Sequence, residues 1–336
     1  MSRTRPWTPT PEQLVAAHQL VLQSYVVDLH AHPQGIMPRP VRWAAEKLTG
    51  LPVDPLSNLP TAGVDLAVVA AIGDPLGTAW RVGSSPWKAV TTQLNAAITE
   101  STASGTAATP PESPSPTIVL AVEGADFLDR DLDGLARLAH HGVRVLGLVH
   151  YANNAIGSIG TSLSGRRRQQ AQGNGLTAFG RDVIREANHL GIVIDLAHAD
   201  TATTLAACQQ TDAPVISSHT AASSIRDFPR YISDDEIKAI ADTGGIIGLW
   251  PASMHGRAMT DLDDFARHAT HMAELVGTGH LAIGTDKNGV PDYAHGYSGS
   301  PDIVNLAAAL TRTGFADTET AAILGGNAQR VLDSRA

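Results

Sequence analysis

Short and nearly continuous apolar runs recur along the chain, and most of them end in a polar residue. The run at 64–72 is almost wholly apolar, which is typical of a strand that is buried on both faces of a parallel sheet. Strands are predicted over 26–32, 64–72, 118–124, 143–150, 192–198, 214–219, 245–250 and 280–286. The first of these is stopped by Pro33.

Segments with apolar residues at helical spacing lie between these runs. Ser233 and Glu236 match a capping box, and Asp200 or Thr201 caps a helix after the fifth strand. The other helices are predicted over 11–25, 41–48, 87–102, 132–140, 177–190, 234–242, 262–276, 303–311 and 318–332. This strand-then-helix order indicates an α/β protein built as a parallel (β/α)8 TIM barrel with extra terminal helices.

The strand–helix order suggests a single domain over residues 1–336. Residues 101–117 are rich in Pro, Ser, Thr and Ala, and because the strand–helix order resumes in phase after them, we expect a flexible surface insertion. The polar, glycine-rich segment 151–175 predicts a long loop that is functional or disordered. Its arginines at 166–168 are more typical of a solvated face than of a binding site.

Polar side chains end most of the predicted strands. His30 and His32 are two residues apart on the first strand, so both point to the same face, although a lone pair of this kind also occurs as ordinary surface or core histidines. Active sites of TIM barrels lie at the carboxyl ends of the strands. Five further polar residues lie there, namely Glu123, His150, His198, His219 and Asp286.

Imidazoles and carboxylates without thiolates favour a catalytic divalent metal, with zinc first and manganese, iron or cobalt as alternatives. We expect two ions, one held by His30 and His32 and the other by His198 and His219, with Glu123 as a bridge. A bridging water between two cations loses a proton near neutral pH and becomes the nucleophile. Asp286 would carry its proton to the leaving group, and His150 would polarise the scissile carbonyl.

The composition argues against nucleic acid and membranes as partners and favours a small-molecule substrate. A net charge of −9 argues against nucleic acid and anionic membranes, and no apolar run is long enough to span a bilayer. The first eleven residues lack the apolar core of a secretory signal, so we expect a cytoplasmic protein. The single Cys208 excludes an internal disulfide framework and a thiolate metal cluster.

These features resemble the metal-dependent amidohydrolase superfamily, and within it the membrane (renal-type) dipeptidases, peptidase family M19. The resemblance covers nearly the whole chain outside the insertion. It is carried by Val-Glu-Gly at 122–124, the strand at 142–150 with Asn153, the segments at 175–180 and 190–198, Ala-Pro-Val-Ile-Ser-Ser-His at 213–219, Pro229-Arg230, Ser233-Asp234-Asp235, Gly284-Thr285-Asp286, and Gly325-Gly326-Asn327 with Arg330.

The resemblance implies roles for individual residues. His30, Glu123, His198 and His219 would be metal ligands. His150 would contact the substrate carbonyl, Asp286 would shuttle the proton, and Arg230 would bind the α-carboxylate of a dipeptide with L,L or L,D configuration, which suits its bidentate guanidinium. Relatives of this kind are often homodimers.

The chain departs from the family pattern beside these residues. His32 stands where the family has Asp, so the metal cluster gains about one unit of positive charge and a mononuclear site becomes an alternative. Tyr231, predicted to bind substrate, replaces Asn, while Phe228, Ser223 and Asn288 replace His, Arg and Asp. A hydrolase of a non-peptide amide, a lactone or a modified amino acid is therefore an alternative to a zinc dipeptidase, and a non-catalytic binding protein is a further one.

Overall fold

A computed structural model of the chain describes residues 6–34, 43, 46–47, 55–79, 84–102, 117–162 and 175–334. Parallel strands pair in chain order and close into an eight-stranded barrel, with β8 hydrogen-bonded to β1. They are β1 (Val27–Ala31), β2 (Leu66–Ile72), β3 (Thr117–Glu123), β4 (Val143–Gly147), β5 (Val193–Asp195), β6 (Ile216–Thr220), β7 (Ile246–Leu249) and β8 (Leu281–Ile283). The predicted TIM barrel is confirmed.

Helices surround the barrel, and their starts follow the capping signals. Asp200, and not Thr201, caps the helix Thr201–Gln210, because its carboxylate accepts the Thr203 N–H at 2.7 Å. Ser233 and Glu236 form the predicted capping box of the helix Asp234–Asp242. The helices are α1 (Pro11–Gln23), α2 (Pro75–Thr78), α3 (Pro86–Thr102), α4 (Asp133–His140), α5 (Ala178–His189), α6 (Thr201–Gln210), α7 (Asp234–Asp242), α8 (Leu262–Val276), α9 (Ile303–Arg312), α10 (Asp317–Ala321) and α11 (Asn327–Asp333).

One predicted helix differs in the structure, and three other predicted segments lie mostly or wholly outside the described residues. The predicted helix at 318–332 is interrupted by a π-helical turn, Ala322–Gly326, between α10 and α11. A Cβ on Gly325 would lie 1.9 Å from the Tyr25 carbonyl oxygen, so this turn passes too close to the start of β1 for any larger residue. Most of the helix predicted at 41–48, most of the insertion at 101–117 and the arginines at 166–168 lie outside the described residues. No helix in the described part of the chain is long and apolar enough to cross a bilayer.

The barrel interior is packed with small and branched side chains from the strands. Val27, Leu29, Val68 and Ala70 belong to this cluster, and α11 contributes Ala328, Val331 and Leu332 to it. A second and larger core packs between the strands and the surrounding helices. Because these side chains fill the interior, a ligand of the barrel is expected at the mouth formed by the carboxyl ends of the strands.

Two glycines bring β6 close to its neighbours at that mouth. A Cβ on Gly248 of β7 would lie 1.9 Å from the Ser218 carbonyl oxygen, and a Cβ on Gly284 after β8 would lie 1.7 Å from the same oxygen. Only glycine fits at such an approach. Ser218 and His219 are thereby held close to the end of β8, where the Gly284-Thr285-Asp286 segment begins.

Candidate metal centre

Five imidazoles converge on one carboxylate at the mouth of the barrel. Each presents its Nε2 atom to Glu123, and every one of the six residues is at most 5% exposed. The Glu123 Oε1 atom lies 3.0 Å from His198, 3.5 Å from His30 and 3.6 Å from His219, and Oε2 lies 3.5 Å from His32 and 3.5 Å from His150. The barrel therefore brings together the five histidines and the glutamate that the sequence placed at the strand ends.

The strands deliver these side chains in two ways. His30 and His219 lie within β1 and β6, and Glu123 is the last residue of β3. His198 lies three residues beyond the end of its strand, with a positive φ of 70°. The same holds for Asp286, whose φ is 56°. Left-handed backbone is costly for residues other than glycine, and such strain is common at functional sites.

Contacts behind the imidazoles determine which ring nitrogen carries the proton. The Nδ1 of His32 lies 2.9 Å from the Ala70 carbonyl oxygen. A carbonyl can only accept a hydrogen bond, so His32 carries its proton on Nδ1 and directs the Nε2 lone pair toward Glu123. Such outer contacts are typical of histidines that bind metals.

The Ser218 hydroxyl can orient two further rings in the same way, those of His30 and His219. Its hydroxyl oxygen lies 3.2 Å from His30 Nδ1 and 2.8 Å from His219 Nδ1. A hydroxyl has two acceptor lone pairs, so it can accept a hydrogen bond from the Nδ1–H of each ring and leave both Nε2 lone pairs directed into the centre. Ser218 was not among the site residues predicted from the sequence, and its place next to His219 at the end of the sixth predicted strand was a weak signal, since neighbouring strand residues point to opposite faces.

The donor set suits a divalent cation. The Nε2 atoms of His30 and His32 are 3.3 Å apart, and those of His198 and His219 are 3.2 Å apart. Paired lone pairs at these distances repel each other unless a proton or a cation lies between them. Among the described residues, two groups have ligand atoms within 4.8 Å of one another, namely His30–His32–Glu123 and Glu123–His150–His198. The second group contains His150 in place of His219, so His150 is also close enough to act as a ligand.

Electrostatics at the centre depend on the Glu123 charge. Burial disfavours charge on His30, but the adjacent Glu123 carboxylate outweighs it and raises the pKa of His30 to about 9. Burial also opposes the Glu123 charge, but His150 and His30 hold its pKa well below the usual value. Burial lowers the pKa of His198 and His219 well below the usual range. A proton on His30 and a bound cation would each neutralise the same carboxylate.

Two buried aspartates below the centre hold its backbone in place. Asp28 accepts the Thr285 N–H at 2.9 Å, the Thr285 hydroxyl at 2.5 Å and the His30 N–H at 3.2 Å. Asp195 accepts the N–H groups of Ala197 at 3.0 Å and Ser218 at 2.9 Å. Each aspartate therefore links one strand end to another, and neither was identified from the sequence.

Asp286 and His150 flank the ligand set. Asp286 lies 3.5 Å from His32 Nε2 and 4.0 Å from His219 Nε2. His150 Nδ1 lies 3.1 Å from the Asp74 carboxylate; burial lowers the pKa of His150, but Glu123 and Asp74 raise it by more. Asp74 follows β2 by two residues, so the strand-end argument applied to the second strand would have found it.

Arg230 is a buried cation beside the centre. It is 7% exposed, its Nη2 donates to the His219 carbonyl at 3.4 Å, and its guanidinium lies 5.5 Å from the Trp250 ring centroid. It forms no ion pair with a carboxylate in the described part of the chain, and burial lowers its pKa. Arg230 and His198 both line a cavity of about 310 Å³, so the guanidinium can meet an anionic group of a ligand there.

Tyr231 lines the same cavity, but its ring is largely enclosed by protein. The ring centroid lies 5.2 Å from that of Phe228 and 5.1 Å from that of His268. Tyr151, which was not identified from the sequence, lies closer to the centre, with its ring 4.2 Å from His150 and 4.9 Å from His198. Tyr151 is therefore the nearer phenol for a bound ligand.

The chain is similar to known dipeptidases. The model of the family described as membrane dipeptidase (peptidase family M19) matches residues 93–335. An uncharacterised dipeptidase of Schizosaccharomyces pombe is 29% identical over 221 residues, which are 64% of this chain and 52% of that protein. Dipeptidase verJ of Clonostachys rogersoniana is 29% identical over 221 residues, with 64% and 54% covered. The chain thus spans about half the length of these curated relatives.

Solved structures share the fold. The probable dipeptidase PvdM of Pseudomonas aeruginosa superposes with a TM-score of 0.76 at 20% identity, over 97% of this chain and 100% of that one. A metallopeptidase of Rhodobacter sphaeroides, liganded with a phosphinate mimic of the dipeptide L-Ala-D-Ala, gives a TM-score of 0.74 at 20% identity, over 92% and 99%. At this identity the likeness concerns the barrel and its connections.

Proposed function

Because the chain belongs to the membrane dipeptidase family, peptidase family M19, we propose that it is a metal-dependent dipeptidase that uses zinc and cleaves L,L or L,D dipeptides. The observation that carries this proposal is the convergence of five imidazole Nε2 atoms on Glu123 beside the buried Arg230. That arrangement combines a metal donor set with a cation that can bind the carboxylate end of a small substrate.

We propose that His30, His32, His198, His219 and Glu123 would hold two divalent ions, and Glu123 could serve both. The contacts of Ala70 and Ser218 support this assignment, because the Ala70 carbonyl holds the His32 proton on Nδ1 and the Ser218 hydroxyl can accept from Nδ1 of His30 and of His219, which leaves Nε2 of each ring available to a metal. When bound, such ions polarise the scissile carbonyl and lower the pKa of water. One ion, or another divalent metal, is the alternative.

The remaining residues act on the substrate directly. Arg230 binds the α-carboxylate and so fixes the peptide in the cavity, with Tyr231 beside it. Asp286 accepts a proton from the attacking water and delivers it to the leaving amine as the C–N bond breaks. His150, whose Nδ1 faces the Asp74 carboxylate, directs Nε2 inward to stabilise the developing oxyanion.

The test is a zinc-supplemented assay of a panel of L,L and L,D dipeptides, each with a free or an amidated C-terminus. We expect the free acids to be cleaved and the amides to lose about 10- to 100-fold in kcat/KM, as for the loss of a charged hydrogen bond. Arg230→Met should remove that preference, whereas Arg257→Met, at an exposed arginine, should keep it. If none of the free dipeptides is hydrolysed, the chain is not a dipeptidase.

A second candidate is a hydrolase of a non-peptide amide, a lactone or a modified amino acid. His32 favours this candidate, because a neutral imidazole leaves the two metal ions with more net positive charge than an aspartate ligand would. Lactones and N-acyl amino acids in the same assay distinguish the two candidates. Rapid dipeptide cleavage together with inert lactones and N-acyl compounds would reject this one.

His32→Ala should lower the zinc content by about one equivalent per chain, because it removes one of the two nitrogen ligands of the first ion. His32→Asp should keep the metal, since a carboxylate also binds zinc. The measurement is metal analysis after dialysis, with His18→Ala, at an exposed histidine of α1, as a control. Unchanged zinc in His32→Ala would mean that His32 does not coordinate.

A further inference from the structure

The loop that carries Arg230 is itself held by one face of α8. This loop, residues 221–233, joins β6 to α7 and is here termed the Arg230 loop. Its two ends pair with each other, because Ser223 N–H donates to the Ile232 carbonyl at 2.8 Å and Ile232 N–H donates to the Ala221 carbonyl at 3.0 Å. A loop closed in this way moves as a unit, so contacts that orient it also orient Arg230.

Asp264, His268 and His271 of α8 contact this unit. Their spacing of four and three residues puts them on one helical face. Asp264 accepts a hydrogen bond from Arg226 Nη2 at 2.7 Å, and His268 Nδ1 accepts the Ala222 N–H at 3.1 Å. Both α8 side chains are 0% exposed. His271 Nε2 lies 2.8 Å from the Ser224 hydroxyl, nearer the surface.

His268 contacts both ends of the Arg230 loop. It binds Ala222 near the start, and its ring lies 5.1 Å from the ring of Tyr231, the residue next to Arg230. Burial lowers the pKa of His268 to about 4, so the ring is neutral near pH 7. Because Nδ1 accepts from Ala222, the single ring proton must be on Nε2.

A buried histidine at position 268 costs stability, so packing alone does not explain why His268 lies there. His268 Nε2, Tyr231 Oη and Arg226 Nε are buried without a hydrogen-bond partner among the described residues. A buried donor without an acceptor is unfavourable, and an apolar side chain of the size of His268 would avoid that cost. An apolar side chain, however, could not accept the Ala222 N–H and so could not hold the start of the loop.

In the described part of the chain, the guanidinium is oriented by one hydrogen bond and by the Trp250 ring. Its hydrogen bond to the His219 carbonyl is long, at 3.4 Å, while the backbone on either side is well held. Thr220 Oγ1 donates to the Arg230 carbonyl at 2.9 Å, and Thr161 Oγ1 donates to the Pro229 carbonyl. The direction of the side chain therefore depends on where the loop is placed.

We propose that Asp264 and His268 are positioning residues, which hold the Arg230 loop so that the guanidinium meets the carboxylate of the substrate. The inference rests on the proposed dipeptidase function for its kinetic consequence. The contacts with the loop themselves do not depend on that function. Substrate binding should suffer when these contacts are removed, while the chemical step should not.

The neighbouring Ser224, His271 and Asp234 do not form a second nucleophilic site. Ser224 Oγ lies 2.8 Å from His271 Nε2, and Asp234 Oδ1 lies 2.9 Å from the same nitrogen. A histidine that relays a proton needs its two partners on opposite ring nitrogens. These residues instead add a surface contact between α8 and the start of α7.

The experiment compares three substitutions in α8. His268→Leu removes the acceptor at similar volume, His268→Gln retains an oxygen that can accept the Ala222 N–H, and Met272→Ala damages the buried face of α8 without removing a hydrogen bond to the loop. We expect KM for a free-acid dipeptide to rise about 10-fold in His268→Leu with kcat within about twofold. His268→Gln should recover most of the loss, and Met272→Ala should leave KM unchanged.

Hydrogen–deuterium exchange of the metal-loaded proteins gives a readout that needs no turnover. Peptides covering 221–233 should exchange faster in His268→Leu and in Asp264→Asn than in wild type or Met272→Ala. Unchanged exchange there, or an equal rise in KM in Met272→Ala, would overturn the proposal. If wild type cleaves no dipeptide, the proposed function fails, and the exchange comparison still decides whether these residues hold the loop.

Discussion

Glu123→Gln is expected to release the bound metal and to lower kcat/KM for a dipeptide by at least about 10³-fold. The Glu123 carboxylate has Nε2 atoms of five histidines within 3.6 Å, so it would be the ligand that bound ions share. Glutamine keeps the shape but removes the charge. A protein-bound zinc ion can lower the pKa of its water from about 15.7 to about 7, so loss of the ions would remove the nucleophile near neutral pH.

The measurement combines zinc analysis, kcat/KM and circular dichroism. A matched control is Glu274→Gln, at an exposed glutamate of α8, which should change none of them. Glu123→Gln should remain folded. Without the Glu123 carboxylate the pKa of His30 falls, so the substitution removes the buried negative charge and the compensating proton on His30 together. A variant that retains two equivalents of zinc would show that Glu123 is not the bridging ligand.

Asp286→Asn should lower kcat by about 10²- to 10⁴-fold, the usual range for loss of a positioned acid or base, with zinc content retained. Asparagine is a suitable replacement because the backbone at 286 is left-handed, with φ of 56°, and asparagine adopts that conformation more readily than most residues. Alanine at this position would add backbone strain to the loss of the carboxylate.

The measurement is kcat across pH together with metal analysis, and Asp292→Asn provides a control at a partly exposed aspartate. Asp286 lies 3.5 Å from His32 Nε2 and 4.0 Å from His219 Nε2, close enough for a ligand role to be tested as well. Loss of zinc in Asp286→Asn would assign it to the metal. An unaltered kcat would mean that another group transfers the proton.

The sequence predicted the barrel well because its signals are local. Apolar runs at 64–72 and 118–124 and the capping box at Ser233 depend on neighbours in the chain, and these elements formed as predicted. The π turn at Ala322–Gly326 did not follow from local pattern, since it depends on how closely Gly325 approaches Tyr25.

The candidate site, too, was predictable from the sequence in some respects and not in others. The carboxyl ends of parallel strands share one end of a barrel, so the sequence alone was enough to expect His30, Glu123, His219 and the others together. It could not give the left-handed turns that bring in His198 and Asp286, three residues past their strands. Those turns depend on hydrogen bonds such as that between Asp286 N–H and the His30 carbonyl.

What the sequence determined by itself was the order of strands and helices and the set of side chains at the mouth. Only the tertiary structure decided which nitrogen of each imidazole faces Glu123, since Ser218 and His30 are 188 residues apart and His32 depends on the Ala70 carbonyl. It also decided that Arg230 is buried without an ion pair in the described part of the chain. The reason is physical: tautomers and buried charges depend on partners from distant strands, which have no signal in the local pattern.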